Sequence, residues 1–192
     1  MTPDPSDLSF ETPRVKARLL CEDDLDLYLA LYTDPEVMRY IGPVMGREDV
    51  LAVFEKSLGH NRRLGVRALY WRVFDRSNDD ASVGLASLVR EIRDGGAADV
   101  GLMLSSDVQR SSLGQHCLAA MIGNCLSGYW NLGVSEITAR HVESHAAARR
   151  LVESLGFVGE GLDAKGFASW RMRHEAWVTS RSGEMWSRWQ SR

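Results

Sequence analysis

The spacing of apolar residues along the chain predicts short strands that alternate with amphipathic helices. Apolar and polar side chains alternate, as in half-buried strands, at residues 15–20, 68–74, 81–92, 98–104, 136–142 and 170–179. Apolar residues recur at helical spacing at residues 22–32, 35–40, 47–61, 113–131 and 145–155. Three consecutive strands followed by alternating helices and strands predict one α/β domain, in which helices cover a mixed sheet.

Length and composition narrow the class of protein. At roughly 150 residues per domain, 192 residues indicate one domain. The chain is 44% hydrophobic and 26% charged, which excludes collagen-like, disordered and coiled-coil classes. No apolar run approaches the roughly 18 residues of a membrane helix, so we expect no membrane partner. The net charge of −3 argues against a nucleic-acid binder and suits an amine-bearing substrate.

The cysteines and the start of the chain predict an intracellular protein without a disulfide framework or a structural metal. Cys21, Cys117 and Cys125 form no CxxC pair, and the last two lie on the apolar stripe of a predicted helix. No set of His, Cys, Asp or Glu has metal-ligand spacing, so we expect no metal. Residues 1–11 are predicted to be a disordered arm, 12–180 the folded domain and 181–192 a tail, and the start of the chain lacks the features of a secretory signal. We therefore expect a cytoplasmic location.

A candidate anion site lies where the strand at residues 98–104 leads into the longest predicted helix. The connecting loop, residues 109–114, is rich in small residues, so its backbone N–H groups can converge on one point. The N-terminus of the helix adds unpaired donors and partial positive charge, which suits a pyrophosphate. The loop is neither a P-loop nor a GxGxxG fingerprint. An ordinary strand-to-helix connection is the alternative interpretation.

Three segments carry a resemblance to the GNAT N-acetyltransferase superfamily. The loop Gln109-x-x-Ser112-x-Gly114 resembles the family's Q/R-x-x-G-x-G/A acetyl-CoA loop. Residues 145–157 are similar to the family segment N-x-x-S-x-x-L-L-x-x-L-G-F. Residues 14–42 are similar to the branch that acetylates the N-termini of ribosomal proteins. The resemblance covers residues 12–180, and the order of its segments is more specific than the loop alone.

The resemblance implies a fold, a co-substrate and a reaction. The fold is a mixed, mostly antiparallel sheet that splays in the middle and is flanked by helices. Acetyl-CoA lies in the splay as co-substrate, and its acetyl group passes directly to an amine. The residues implied in binding acetyl-CoA are Leu102, Met103, Leu104, Gln109, Arg110, Ser111, Ser112, Leu113, Gly114, Gln115 and His145.

The chain departs from the family pattern at four positions. Ser112 replaces the central glycine of the loop, which requires a negative φ at that residue. His145 replaces the usual asparagine, Ala148 the usual serine, and Val152 the tyrosine that many relatives use as proton donor. His145 is expected to contact pantetheine or to protonate the thiolate, with a solvated histidine as the alternative. The helix dipole should lower the pKa of His145 and favour the pantetheine contact.

Candidate bases lie on the central strands. Transfer to an amine needs a proton acceptor, because a free amine is mostly protonated at neutral pH. Asp99 is the first candidate and Glu91 the second, and each is alternatively a solvated strand carboxylate. His141 is expected to be a half-buried histidine with satisfied hydrogen bonds.

The sequence therefore predicts an acetyl-CoA-dependent N-acetyltransferase that acts on a primary amine, either a protein N-terminus or a small molecule. An acyltransferase that uses a longer acyl-CoA or modifies an antibiotic is an alternative within the enzyme class. A GNAT-like domain that binds acyl-CoA without catalysis, as a sensor or scaffold, is the alternative from another class. The protein is expected to be a monomer or homodimer.

Overall fold

The computed structural model describes residues 5–63, 67–90, 96–108 and 112–191. These residues form a single sheet of eight strands, in the order β1-β2-β3-β4-β5-β6-β8-β7. The strands are β1 (Phe10–Glu11), β2 (Val15–Leu19), β3 (Ala68–Asp75), β4 (Ala81–Arg90), β5 (Ala97–Leu104), β6 (Glu136–Val142), β7 (Val158–Leu162) and β8 (Phe167–Arg173). The helices are α1 (Leu25–Tyr32), α2 (Pro35–Met38), α3 (Arg47–Asn61), α4 (Leu113–Leu126), α5 (Ala146–Leu155), α6 (His174–Val178) and α7 (Arg181–Gln190).

The sheet splays at its centre. Neighbouring strands run antiparallel except β5 and β6, which are parallel and pair only at Ala97, Ala98 and Asp99. Beyond Asp99 the ladder between them stops, although β5 continues to Leu104 and β6 to Val142. This arrangement confirms the predicted mixed, splayed sheet in one α/β domain.

Helices cover both faces of the sheet. On one face α4 is buried along most of its length, and its cluster includes Ala98 and Val100 of β5. On the other face α1 and α3 form a second cluster that reaches Leu85 of β4 and Met103 of β5. Side chains alternate along a strand, so the two faces of β5 meet different helices.

The longest predicted helix ends earlier than its apolar pattern suggested. Residues 113–131 were the predicted span, whereas α4 ends at Leu126. Gly128 and Asn131 adopt φ values of +77° and +49°, which end the helical path. The chain then turns Trp130 back into the core, where it is 1% exposed, and leaves Tyr129 at 65% exposure. Tyr129, which falls inside the predicted helical span, therefore belongs neither to α4 nor to the core.

The C-terminal part of the predicted last strand is helical. Residues 170–179 were predicted as a strand, but β8 spans Phe167–Arg173 and α6 follows at once. A helix lets Trp177 enter the core at 2% exposure, while Val178 points to solvent at 53%. The carbonyl oxygen of Trp177 lies 2.1 Å from where a Cβ of Gly183 would stand, so the α6–α7 junction requires a glycine there. Further along, α7 packs on α4 through Trp186 and Gly123.

Residues 5–11, which were predicted to lie in a disordered arm, form a 3-10 turn at Pro5–Leu8 and strand β1 at Phe10–Glu11. Leu8 is fully buried, Phe10 is 6% exposed, and the Trp71 indole donates to the Leu8 carbonyl at 2.7 Å. These two apolar side chains cover the end of the core around Trp71, which a solvated arm would leave exposed. Within the described ranges, no helix is both long and apolar enough to cross a membrane.

Candidate functional site

The splay opens a gap between β5 and β6, and a helix starts beyond the end of each strand. After β5 the chain passes through residues 105–112 into α4, and after β6 it turns through residues 143–145 into α5. The two helices contact each other. The gap is therefore bordered by two strand edges and by two helix N-termini, whose unpaired N–H groups favour anions and polar acceptors.

Gly114 holds the start of α4 against the edge of the gap. A Cβ on this residue would stand 3.2 Å from Leu102 Cδ2 of β5 and 3.3 Å from Leu151 Cδ2 of α5. Such contacts are tight, so glycine allows the first turn of α4 to approach both elements closely. The candidate anion site thus lies directly beside the part of β5 that extends past its ladder with β6.

The backbone of the loop before α4 has the negative φ that a serine at position 112 requires. Ser112 adopts φ −76° and ψ 1°, a conformation without strain for an L-residue. Leu113 is fully buried, so only its backbone can face a ligand, whereas Gln115 is half-buried. The predicted contacts at Gln109, Arg110 and Ser111 lie outside the described residues.

Arg14 adds positive charge beside the α4 N-terminus, and the sequence pattern gave no sign of this. Its Nη1 lies 3.5 Å from Ser112 Oγ, and its buried Nε has no hydrogen-bond partner among the described residues. The half-buried guanidinium forms no ion pair within the same ranges. Arg14 is 98 positions from Ser112 in sequence, so only the fold reveals their proximity.

Leu102, Met103 and Leu104 follow the last β5 residue that pairs with β6. The Leu102 and Leu104 side chains pack against the α4 cluster, and the Met103 side chain packs against the α1–α3 cluster. Any contact of this strand edge with a ligand in the gap would therefore come from the backbone.

Asp99 lies at the apex of the splay. Its neighbours Ala98 and Val100 face α4, so its side chain lies on the opposite face. Thr138 Oγ1 donates to Asp99 Oδ2 at 3.2 Å, and Arg140 Nε lies 3.8 Å from the same oxygen. The carboxylate is 25% exposed, which leaves it accessible. Both partners stabilise its ionised form, the form that can accept a proton. The second candidate base, Glu91, lies outside the described residues.

His145 occupies the N-cap position of α5, at the open end of β6. Its side chain does not cap the helix, and its ring stacks on Tyr40 with centroids 4.2 Å apart and planes 15° apart. Burial and the nearby His141 lower the pKa of His145 below its ordinary value. The direction agrees with the expectation, and burial is the largest cause of the shift. The imidazole is therefore mainly neutral at pH 7.

His141 is a buried histidine with satisfied hydrogen bonds, as expected, although it is more buried than predicted, at 8% exposure. The Trp170 indole N–H can only donate, and it donates to His141 Nε2 at 2.9 Å. Nδ1 must then carry the proton, which it donates to the Val142 carbonyl at 2.9 Å. Both nitrogens are occupied, so His141 has no lone pair to offer a substrate.

The segment around α2 touches both sides of the gap, which the sequence pattern did not indicate. The pattern predicted the helix start at Asp34-Pro35, and Asp34 Oδ1 does accept from the Glu36 N–H at 2.8 Å. The other carboxylate oxygen of Asp34 accepts from Ser106 Oγ at 3.1 Å, just after β5. Tyr40, at the other end, stacks on His145 after β6.

The remaining predictions concern the cysteines and metals. Cys117 and Cys125 lie in the core, at 0% and 2% exposure, as expected. Burial raises the pKa of Cys117 to about 12 and raises that of Cys125 as well, so neither thiol is a nucleophile at neutral pH. In the part of the chain that the structure describes, no group of three His, Cys, Asp or Glu residues is placed to hold a metal ion.

Comparison with known families decides the classification. The sequence model described as "Acetyltransferase (GNAT) domain" matches residues 14–158, most of the chain. The chain belongs to the GNAT acetyltransferase family. A comparison with curated proteins finds no match to its sequence.

Solved structures share the GNAT fold at low sequence identity. A GCN5-related N-acetyltransferase from Brucella melitensis is 16% identical, with a TM-score of 0.74 over 100% of this chain and 86% of that one. A Vibrio cholerae protein described as a ribosomal-protein-serine acetyltransferase is 17% identical, with a TM-score of 0.70 over 90% and 99%. Spermidine N-acetyltransferase from Vibrio cholerae, in complex with CoA and spermine, is 17% identical, with a TM-score of 0.69 over 88% and 100%. These likenesses show a shared fold, and the match to the family model supports acyl transfer in general.

Proposed function

We propose that this GNAT protein transfers acetyl from acetyl-CoA to a primary amine. The observation that carries the proposal is the divergence of β5 and β6 beyond Asp99 and Thr138. It leaves the backbone edge of β5 next to a gap that ends at the N-terminus of α4. A long, flexible, amide-containing arm with a phosphate group at one end suits such a gap, because strand edges pair with amides and helix N-termini attract anions.

The residues at the ends of the gap fit that ligand. The first turn of α4, from Ser112 to Gln115, would hold the pyrophosphate with its N–H groups, and Arg14 would add a positive charge. The backbone of residues 102–104 would pair with the pantetheine arm. His145 would bind the arm from the opposite side, because its mainly neutral imidazole has one donor and one acceptor nitrogen.

The chemistry needs three proton movements. Bound acetyl-CoA supplies a thioester-activated acetyl group. The ammonium of the acceptor must lose one proton before its nitrogen can bond to the carbonyl carbon, that nitrogen must lose a second proton to water as the amide forms, and the sulfur must gain one as the C–S bond breaks. Asp99 would take the proton from the ammonium, directly or through a water molecule. Val152 is 4% exposed and cannot donate a proton, so the proton for the sulfur would come from water or from His145 in its minor, protonated form.

The amine that accepts the acetyl group could be a protein N-terminus or a small molecule. The similarity of residues 14–42 to the ribosomal-protein branch favours a protein N-terminus. Two structural neighbours are described with different acceptor classes, a ribosomal-protein serine and a polyamine. A non-catalytic acyl-CoA sensor is the competing function, and the replacement of the usual residues at His145 and Ala148 favours it.

Calorimetry with acetyl-CoA, CoA and an unrelated nucleotide tests the binding part of the proposal. We expect acetyl-CoA to bind with one site per chain and the unrelated nucleotide to bind at least tenfold more weakly. Absence of acetyl-CoA binding would reject both the enzyme and the sensor. Binding without transfer to any amine would favour the sensor.

A further inference from the structure

Helix α2 and the residues on either side of it form a bridge across the gap between β5 and β6. The bridge, residues 34–40, is fixed at one end by the hydrogen bond from Ser106 Oγ to Asp34 Oδ2. At its other end, the Tyr40 ring stacks on His145. The middle of the bridge is held by buried side chains, because Val37 and Met38 are 5% and 3% exposed. The position of Tyr40 is therefore set by contacts that do not involve His145.

The Tyr40 stack is the main side-chain restraint on the His145 ring. Within the described ranges, neither imidazole nitrogen of His145 has a hydrogen-bond partner, and the side chain does not cap α5. The ring of His141 meets it edge-on, with centroids 6.4 Å apart and planes 80° apart. Stacking therefore fixes the plane of the imidazole while both nitrogens stay available to a ligand.

We propose that Tyr40 is a positioning residue, which holds the His145 imidazole in the plane needed to bind the acyl-CoA arm. This inference rests on the proposed function and names a residue that acts through His145 rather than on the substrate. A free imidazole at a helix N-cap would rotate about χ1 and χ2 and lose that freedom on binding. The stack removes this freedom in advance, so binding costs less entropy.

Charged and titratable residues lie around the Tyr40–His145 stack. The Arg39 guanidinium lies 5.4 Å from the Tyr40 ring centroid, on the bridge itself. His141 on β6 meets the His145 ring. Glu143 lies two residues before His145 in the turn, and the Arg149 guanidinium pairs with Glu153 along α5. None of them replaces the stack as a restraint on the ring plane.

A double-mutant cycle tests the inference. Its variants are Tyr40→Leu, His145→Ala and the pair together, and it is read on the dissociation constant of acetyl-CoA and on kcat/KM. We expect Tyr40→Leu to raise the dissociation constant and to lower kcat/KM, each on the order of 10-fold, since small misplacements of a positioning group are costly. Tyr40→Phe keeps the stacked ring and should restore most of the loss. In the His145→Ala background, Tyr40→Leu should have no further effect, because coupled residues are not additive.

Tyr129→Leu is the matched control, since it makes the same substitution at a tyrosine that is 65% exposed. Additive effects of Tyr40→Leu and His145→Ala would overturn the inference, as would a Tyr40→Leu variant that matches the parent.

An NMR measurement on the ligand-free protein separates this inference from the proposed function. The ring signals of His145, assigned by their loss in His145→Ala, should be shifted by the Tyr40 ring current and should move in Tyr40→Leu. Unchanged signals would overturn the positioning role whether or not the protein binds acetyl-CoA. A parent protein that keeps the stack but binds no acetyl-CoA would reject the proposed function, and with it the proposed use of the stack.

Discussion

Asp99 combines accessibility with stabilised negative charge, because Thr138 donates to it and Arg140 lies nearby. If it accepts the ammonium proton, Asp99→Asn should lower kcat/KM by about 10²-fold, since an amide cannot serve as base. Steady-state kinetics with the best amine would measure this. Thr138→Val is the companion variant, expected to have a smaller effect because it removes one hydrogen bond and keeps the carboxylate. A change below about threefold in Asp99→Asn would remove this residue from the mechanism.

The pH dependence of acetyl-CoA binding and of kcat distinguishes two roles of His145, binding the acyl-CoA arm and protonating the thiolate. Its pKa is lowered, so the imidazole protonates only below the usual value of 6.5 and is neutral at higher pH. If the neutral form binds acyl-CoA, the binding of acetyl-CoA should weaken as the pH falls below this range. His145→Asn should remove that pH dependence and keep most of the affinity. A fall in kcat with a shifted alkaline limb would instead identify His145 as the acid.

Asp24 is the strongest test of stability at the scale of one residue. It is fully buried between Arg18 and Arg72, whose guanidinium nitrogens lie 2.7 Å from its two oxygens. Burial alone would raise its pKa, but the hydrogen bonds from Arg18 and Arg72 outweigh burial and lower the pKa to about 2. Asp24→Asn should lower the unfolding free energy by about 3 kcal/mol, because the partly buried guanidinium groups of Arg18 and Arg72 lose the carboxylate between them.

The control for that variant is Asp26→Asn, since Asp26 is 76% exposed and 3.7 Å from Arg72. A loss of stability in Asp26→Asn equal to that in Asp24→Asn would contradict the account. In the parent, the stabilisation by Asp24 is complete above the ordinary pKa of 3.8 and is lost as the pH falls towards about 2. Urea unfolding across this range would show the loss.

At the scale of an element, the first turn of α4 is the proposed phosphate site. Gly114→Pro removes one N–H from this turn, where the missing N–H breaks no intrahelical bond. Gly114→Ala keeps the N–H, and both variants place a Cβ against Leu102 and Leu151. The proline variant should bind acetyl-CoA about 10-fold more weakly than the alanine variant, since a hydrogen bond to a charged group is lost. Calorimetry on both variants, with circular dichroism to confirm folding, measures the difference. Equal affinities would place the pyrophosphate elsewhere.

Element types could be predicted from sequence where one face of the element is buried. Buried and partly exposed residues alternate along β3 from Leu69 onward, as predicted. The strand predicted at residues 136–142 is also confirmed, although three consecutive residues of β6 are buried. The errors occurred where tertiary contacts override local pattern. Apolar residues continue past Leu126, but backbone turns at Gly128 and Asn131 end α4. Likewise, Trp177 fits a strand pattern, but its burial is achieved by a helix.

At the scale of the whole molecule, the candidate site could be predicted only as separate segments. The α4 loop and the start of α5 were visible through their resemblance to a family. The contacts of Arg14 with Ser112 and of Tyr40 with His145 join residues 98 and 105 positions apart, and no local periodicity encodes such contacts. The divergence of β5 and β6 depends on register, which also lies beyond a local pattern.

Amine-dependent release of CoA thiol, with the acetylated product identified by mass spectrometry, tests the central claim most directly. The panel should include peptides with free N-termini, polyamines and aminoglycosides. The account predicts thiol release that requires an amine, yields a product heavier by one acetyl group, and falls by about 10²-fold in Asp99→Asn. Acetyl-CoA binding without release of thiol on any amine would contradict it.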